Sequence, residues 1–525
     1  MFRSWIRSGV LILFVAAGLM TARAGAKNPR IDFGSFVQQQ MRDHSEELFG
    51  FRRPLSKSAL GPYTGADNTQ AIQVADGLRV SLVSSSVASA ADQIAFWPNN
   101  DHPTHVFVCD EETSTPAVQR VNLSGPPSNN ATTIVTGLSS CDPVRRTPWG
   151  TILVGEEAGN TGGLYEIIDP LSINSPINVS DRAVGTTSDP LHLVKRKAVG
   201  SLAFESFAIE EDGTVIFGDE LAPSGGAAGG GIYKFVPAIP FTGGGPITVP
   251  AQSPLVSGTV YGLRVAASKS TNWGQGAETG VGSWILVNLA GIVPGTPPMP
   301  VVDTNGNIIL RNAQVLQRFT GYYRPEDMDI DPIAAEAGAL RACWANTGRK
   351  SHNDSSLVED SGVESEIMCL TENPPSVNDP TPVTGTIPTV ERFITGSEER
   401  AMYDNVAFQP HTGNLVVLED GPVASVKSTD PLVTEARGND LWICLPDGKD
   451  DDALTDGCVR FASVRDTSAE PTGFIFFGSG EEALVSIQHR AVNDALGPGN
   501  HGALVKISGF KVRSHDHDFD DDDWK

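Results

Sequence analysis

Short apolar runs that end in acidic or polar residues recur along this chain, and they constrain its fold more than any other feature. His105-Val106-Phe107-Val108 leads into Asp110-Glu111-Glu112, Thr151 to Val154 into Glu156-Glu157, and Thr214 to Phe217 into Asp219-Glu220. Ala342-Cys343-Trp344-Ala345 leads into Asn346, Leu415 to Leu418 into Glu419-Asp420, and Ala483 to Ile487 into Gln488-His489. A polar or Gly-rich loop and another apolar run then close the unit, as in Gly162-Gly163-Leu164-Tyr165 and Gly231-Ile232-Tyr233-Lys234-Phe235. Runs this short, rich in β-branched and aromatic residues and punctuated by turns such as Glu211-Asp212-Gly213 and Asn305-Gly306-Asn307, read as strands. Only Ser35 to Leu48 reads as helix.

An all-β chain folded as a six-bladed β-propeller with irregular blade insertions is the most economical architecture for six such units. Innermost strands of a propeller run beside one axis, so acidic groups at equivalent strand ends converge there. Carboxylates so gathered raise one another's pKa unless cations neutralise them. The repeat therefore predicts an axial metal site.

Met1-Phe2-Arg3-Ser4-Trp5-Ile6-Arg7, an apolar run from about Val10 to Met20, and Ala22-Arg23-Ala24 have the layout of an export signal, expected over residues 1–24. Residues 25–88 then read as a lead-in segment, 89–512 as the propeller, and 513–525 as an acidic disordered tail. The apolar run is shorter than the ~20 residues of a bilayer span. No stable membrane anchor is expected, and the product reads as a secreted or periplasmic monomer. Arg3 and Arg7 are not adjacent, which suggests export in an unfolded state with metal loaded afterwards. The formal charge of -25 argues against nucleic acid as a partner and suits a chain that holds cations. Six cysteines would meet an oxidising compartment, where pairing is the default. Cys444 and Cys458 flank a polar loop and are one candidate bridge; Cys343 and Cys369 are a second.

Several further motifs stand in one order. Cys141 precedes Thr147-Pro148-Trp149-Gly150-Thr151 and Glu156-Glu157, and Phe204-Glu205-Ser206 precedes Gly218-Asp219-Glu220 and Tyr233-Lys234-Phe235-Val236. Arg324-Pro325-Glu326-Asp327, Asp404-Asn405, Gly413-Asn414-Leu415, Glu419-Asp420-Gly421, Glu470-Pro471-Thr472-Gly473 and Gln488-His489 follow. Together, from about residue 90 to about 490, they resemble the PhoX family of secreted, metal-dependent alkaline phosphatases. The resemblance implies a six-bladed propeller whose axial pocket holds iron and calcium and hydrolyses a small phosphate monoester. It also implies iron ligands at Glu111, Cys141, Glu205 and Glu326, a thiolate among oxygens suiting iron better than calcium. Glu157, Asp219, Asp404, Asn405, Glu419, Asp420 and Glu470 would hold calcium or support the ligands. Arg324 would be the catalytic phosphate clamp, because a guanidinium grips two phosphate oxygens and stays charged at alkaline pH.

The chain departs from the family pattern at several positions. Asp142-Pro143-Val144-Arg145-Arg146 follows Cys141 where small residues are usual, and Cys109-Asp110-Glu111 stands in place of Asn-His-Glu. Phe204 replaces a histidine and Arg490 a proline. The second cysteine leaves two outcomes open: Cys141 as a thiolate ligand, or a Cys109–Cys141 disulfide that removes it and leaves calcium without the iron pair. Two other readings use the same acidic strand ends, a single-calcium propeller hydrolase acting on lactones or other esters, and a non-catalytic calcium-stabilised propeller that binds a partner. His489 and Trp149 read as structural. The chain has no nucleotide-binding glycine loop, no Gly-x-Ser-x-Gly elbow and no His-Glu-x-x-His helix, which counts against kinases, serine hydrolases and zincins.

Overall fold

The computed structural model describes residues 33–112, 116–223, 228–265, 278–348, 365–375, 384–396, 400, 402–420, 438–447 and 453–512. The expected export signal and acidic tail lie outside the described residues. No described helix is long and apolar enough to cross a membrane.

The chain is mostly β. Its sheets start from six strands, Ala91–Trp97, Cys141–Arg146, Phe204–Ile209, Pro325–Ile330, Tyr403–Phe408 and Glu470–Phe477. Each pairs with the strand that follows it, and that strand with the next, so every sheet grows outward from its first strand. The six first strands are neighbours in a closed ring: each lies beside the next, and Glu470–Phe477 lies against Ala91–Trp97.

Closure is made by the amino-terminal residues. Arg79–Ser84 pairs with Ala503–Ser508 and becomes the outer strand of the last sheet, while Ile72–Val74 pairs with Ala462–Val464 in the sheet before it. Two strands of the stretch expected to be a lead-in, residues 25–88, thus join the carboxy-terminal sheets. Helices Phe33–Asp43 and Ser45–Phe49 match the expected helical stretch. Leu310–Gln317 is a further helix, which the sequence analysis did not expect. It packs Leu310 and Ala313 into the core, and this leaves Arg311 free to reach Asp219.

Apolar residues of adjacent sheets interlock: Phe96, Val106 and Val108 of the first sheet meet Leu484 and Leu504 of the last. Each such side chain contributes about 1.5–3 kcal/mol on burial. Cys343–Cys369 and Cys444–Cys458 bridge directly opposed positions of neighbouring strands, as expected. Cys109 and Cys141 form a third disulfide, which joins the first two sheets.

One irregularity repeats in all six inner strands. The pairing register shifts between Ala91 and Ile94, Cys141 and Val144, Phe204 and Phe207, Pro325 and Met328, Tyr403 and Val406, and Thr472 and Phe474. An extra residue in one strand of a pair twists it locally and re-aims its side chains, which is why such bulges recur beside active sites.

Candidate metal and phosphate site

The second residue of five inner strands is acidic and lies within the bulge: Asp92, Asp142, Glu205, Glu326 and Asp404. The sixth strand begins with Glu470, and all six carboxylates are buried. The oxygens of the first five gather with those of Glu111 and Glu157 into three groups, Asp92/Glu111/Asp142, Asp142/Glu157/Glu205 and Glu205/Glu326/Asp404, each with its ligand atoms within 4.8 Å of one another. Because Asp142 and Glu205 are shared, the groups make one continuous row of seven carboxylates. Glu470 joins it through a hydrogen bond with Asp404.

Acidic pairs at the ends of the second strands divide their roles, since consecutive side chains of a strand point to opposite sides. In three of the pairs the first acid lies outside the row. Glu156 accepts from Ser139 N at 2.9 Å, Gly163 N at 3.0 Å and Arg182. Asp219 accepts from Arg311 Nε and Nη2, both at 2.8 Å, and from Ala203 N at 3.1 Å. Glu419 accepts from Trp442 Nε1 at 3.1 Å and Asp440 N at 3.2 Å. The second of each pair turns toward the row: Glu111 and Glu157 belong to it, while Glu220 and Asp420 face Arg324. His489, in the equivalent place of the last sheet, is exposed, with Nε2 3.8 Å from Glu111 Oε2.

Asp219 and Glu419, expected from the resemblance to hold calcium or support its ligands, lie outside the three groups, and their oxygens accept from Arg311 and Trp442. Asn405 likewise spends its side-chain oxygen on Gly473 N, tying two inner strands together. Asp219→Ala should leave Arg311 without its carboxylate partner and lower the unfolding free energy by about 3 kcal/mol. Denaturant unfolding checks this; folded variant that has lost bound metal would show that Asp219 serves the row after all.

Cys141 is corrected as well. Its sulfur is bonded to that of Cys109, and both are enclosed in the core between the first two sheets. A metal ligand must be a thiolate, which a disulfide sulfur is not. The residues next along each strand bring carboxylates instead, Asp142 directly after Cys141 and Glu111 two places after Cys109.

The row is electrostatically unbalanced as a set of bare side chains. Burial first, and then neighbouring carboxylates, pushes Asp92, Asp142, Glu205 and Glu470 well above the usual carboxylate range. Burial also raises Glu111 to about 8 and Asp404 to about 6, and it lifts Glu326 against the opposing charge of Arg324. Two oxygens, Asp92 Oδ1 and Gln488 Oε1, are buried with no hydrogen-bond partner. Gln488 donates through Nε2 to Asp92 Oδ2 at 3.0 Å and Glu470 Oε2 at 3.3 Å. Crowded, buried carboxylates with unused oxygens fit hard divalent cations, which take several oxygen ligands. The same residues do not supply the thiolate expected for iron.

Arg324 precedes the fourth inner strand with φ 52°, a left-handed conformation that costs a non-glycine residue about 1 kcal/mol or more. Its Nε donates to Glu220 Oε1, and Nη2 lies 2.9 Å from Glu326 Oε1 and 3.8 Å from Asp420 Oδ2. Thr347 Oγ1 donates to the same Glu326 oxygen at 2.9 Å. Arg324 Nη1 is buried and has no acceptor. A cation thus fixed at the edge of a carboxylate row, with one donor unspent, can grip an anion.

Sequence reading missed Asp92, Asp142, Glu220 and Gln488 as parts of this site. A signal was available in Ala91-Asp92-Gln93, Cys141-Asp142-Pro143, Phe204-Glu205-Ser206, Pro325-Glu326-Asp327 and Tyr403-Asp404-Asn405, an acid at the second place of five of the six inner strands. It is faint because each acid stands alone, whereas the paired acids of the second strands draw the eye.

The family model described as alkaline phosphatase PhoX matches residues 53–491. Among solved structures, Pseudomonas fluorescens PhoX in complex with vanadate, a transition state analogue, is similar at 15% identity with a TM-score of 0.59, covering 88% of this chain and 98% of that one. The PQQ domain of pyranose dehydrogenase from Coprinopsis cinerea aligns at 9% identity and a TM-score of 0.38, covering 83% of this chain and 97% of that one. A gluconolactonase from Xanthomonas campestris aligns at 10% identity and a TM-score of 0.36, covering 86% and 99% respectively. No curated protein matches the chain in sequence.

Proposed function

The chain belongs to the alkaline phosphatase PhoX family, whose members are metal-dependent phosphatases, and on that premise we propose that it hydrolyses small phosphate monoesters at the carboxylate row. The observation that carries the reading is the placement of Arg324, with its unspent Nη1, against Glu326 at one end of that row. Glu220 and Asp420 hold the guanidinium in position and keep it charged. Arg324 Nη1 binds a phosphoryl oxygen and orients the ester. Glu111, Glu157, Glu205, Glu326, Asp404 and Glu470, with Asp92 and Asp142, are the carboxylates that would hold cations. Bound cations supply Lewis-acid stabilisation of phosphoryl charge and a more acidic water. Calcium is the metal the donor set favours.

The architecture we assign is a six-bladed propeller, supported by the closed ring of six inner strands and by the amino-terminal strand that completes the last sheet. A secreted or periplasmic, monomeric enzyme is the setting consistent with the amino-terminal export pattern. The reading as a single-calcium lactonase or esterase is less well supported, because three linked carboxylate groups exceed what one ion requires.

Hydrolysis of a chromogenic phosphate monoester by the purified full chain, with added calcium and then with chelator, tests the reading. Calcium-dependent release of phosphate, inhibited by vanadate, is expected. Turnover of a lactone or carboxylic ester without any phosphate release would overturn it.

A further inference from the structure

Arg145, on the second inner strand, is one of the residues by which this chain departs from the family pattern. Its guanidinium reaches past the neighbouring strand. Nη1 donates to Gln93 Oε1 of the first inner strand at 2.7 Å. Nη2 donates to Asp327 Oδ1 and, at 3.3 Å, to Met328 O, both on the fourth. The third strand separates the second from the fourth in the ring, so the Arg145–Asp327 ion pair spans the interior of the ring. The Arg145 side chain is 21% exposed and that of Asp327 2%. Either partner left alone would be an enclosed, unpaired charge, which holds the two together.

Both acceptors carry the connection onward. Gln93 Nε2 donates to Asp142 Oδ1 at 3.2 Å and to Glu205 O on the third strand at 2.5 Å. Asp327 Oδ2 accepts from Val406 N on the fifth strand at 3.2 Å, and Oδ1 from Met328 N at 2.7 Å. One guanidinium is thus tied, directly or through a single side chain, to five of the six inner strands. The anchored residues stand beside acids of the row: Gln93 follows Asp92, Asp327 follows Glu326, and Val406 comes two places after Asp404. Spacing along the row is therefore set across the ring as well as around it. Phosphoryl transfer depends chiefly on positioning and charge stabilisation, so it is sensitive to such spacing.

We propose that Arg145 is a positioning residue of the carboxylate row: through Gln93 and Asp327 it fixes the Asp92/Asp142 end against the Glu326 end, where Arg324 lies. It acts on the reaction through these side chains and touches neither substrate nor cation. The inference rests on the reading of the row as a phosphatase site, and one of its readouts needs no turnover.

The test compares the full chain with Arg145→Met alone and with Arg145→Met combined with Asp327→Asn. The single variant leaves Asp327 without its cation and should melt well below the wild type. The double variant removes both charges, keeps the net charge of the chain, and retains an amide oxygen for Val406 N. Neutral replacement of a buried pair is often harmless to stability, so the metal-free double variant should melt within a few degrees of the metal-free wild type. Its kcat for a chromogenic phosphate monoester should nevertheless fall about 10- to 100-fold, with KM within about twofold, and it should bind the same number of calcium ions about tenfold more weakly. Because the charges cancel, weaker calcium binding reports displaced carboxylates rather than a changed field. Wild-type kcat and calcium affinity in the double variant would overturn the proposal and leave the pair a brace of the fold alone. A wild-type chain that turns over no phosphate ester would sink the phosphatase reading, and the calcium affinity of the double variant would then decide the role of Arg145 by itself.

Discussion

Stripping divalent cations from the purified protein is expected to cut phosphate-ester hydrolysis by at least about 100-fold and to make the folded state less stable as pH rises. The sign follows from the carboxylate row. Glu111 is raised to about 8 and Asp404 to about 6, and Asp92, Asp142, Glu205, Glu326 and Glu470 are also raised. A carboxyl group raised on folding keeps a proton that the unfolded chain releases near pH ~4. Its contribution is complete below that pH and is lost as pH climbs to the folded value, by about 6 for Asp404 and about 8 for Glu111. The melting temperature of metal-free protein should therefore drop by roughly 10 °C between pH 5 and pH 9. Saturating calcium should remove most of that drop, because the cation takes the place of the protons. Thermal melts across this range with chelator and with calcium check the prediction, and a pH-independent metal-free melt would contradict it.

Arg324→Ala is expected to lower kcat/KM for phosphate monoesters by about 10²–10³-fold, the usual cost of removing one donor aimed at developing negative charge. Arg324→Lys should recover little of this, since a lysine ammonium cannot keep Nε on Glu220 and Nη2 on Glu326 while offering a third donor. Inhibition by phosphate and vanadate should weaken in parallel with kcat/KM. Metal content decides between a clamp and a brace: both variants should keep their calcium, because the arginine faces Glu326 without being a ligand. Wild-type kinetics in the alanine variant would remove Arg324 from the chemistry.

Local patterns carried much of the fold. The alternation of apolar runs with turn residues marked nearly every second strand of the sheets, because β-branched runs a few residues long suit a pleated, half-buried surface. The residues around Arg324, Glu326, Asp404 and Glu470 stood in recognisable motifs, and the structure brings these four together. Cys343–Cys369 and Cys444–Cys458 were legible because each pair joins strands close in sequence.

By itself, then, the sequence determined an all-β chain with acidic strand ends, its family, and two of its three disulfides. Tertiary structure alone decided which acid of each pair faces the row, because that depends on strand register and a one-residue shift turns a side chain to the opposite face. Register put Asp219 on Arg311 and Glu419 on Trp442, and left Glu220 and Asp420 to Arg324. Tertiary structure also decided that Cys141 meets Cys109, and that Asp92 and Asp142 join Glu111. Asp92 and Glu111 stand on paired strands of the first sheet, and only the packing of the second sheet against the first brings Cys141 and Asp142 to them.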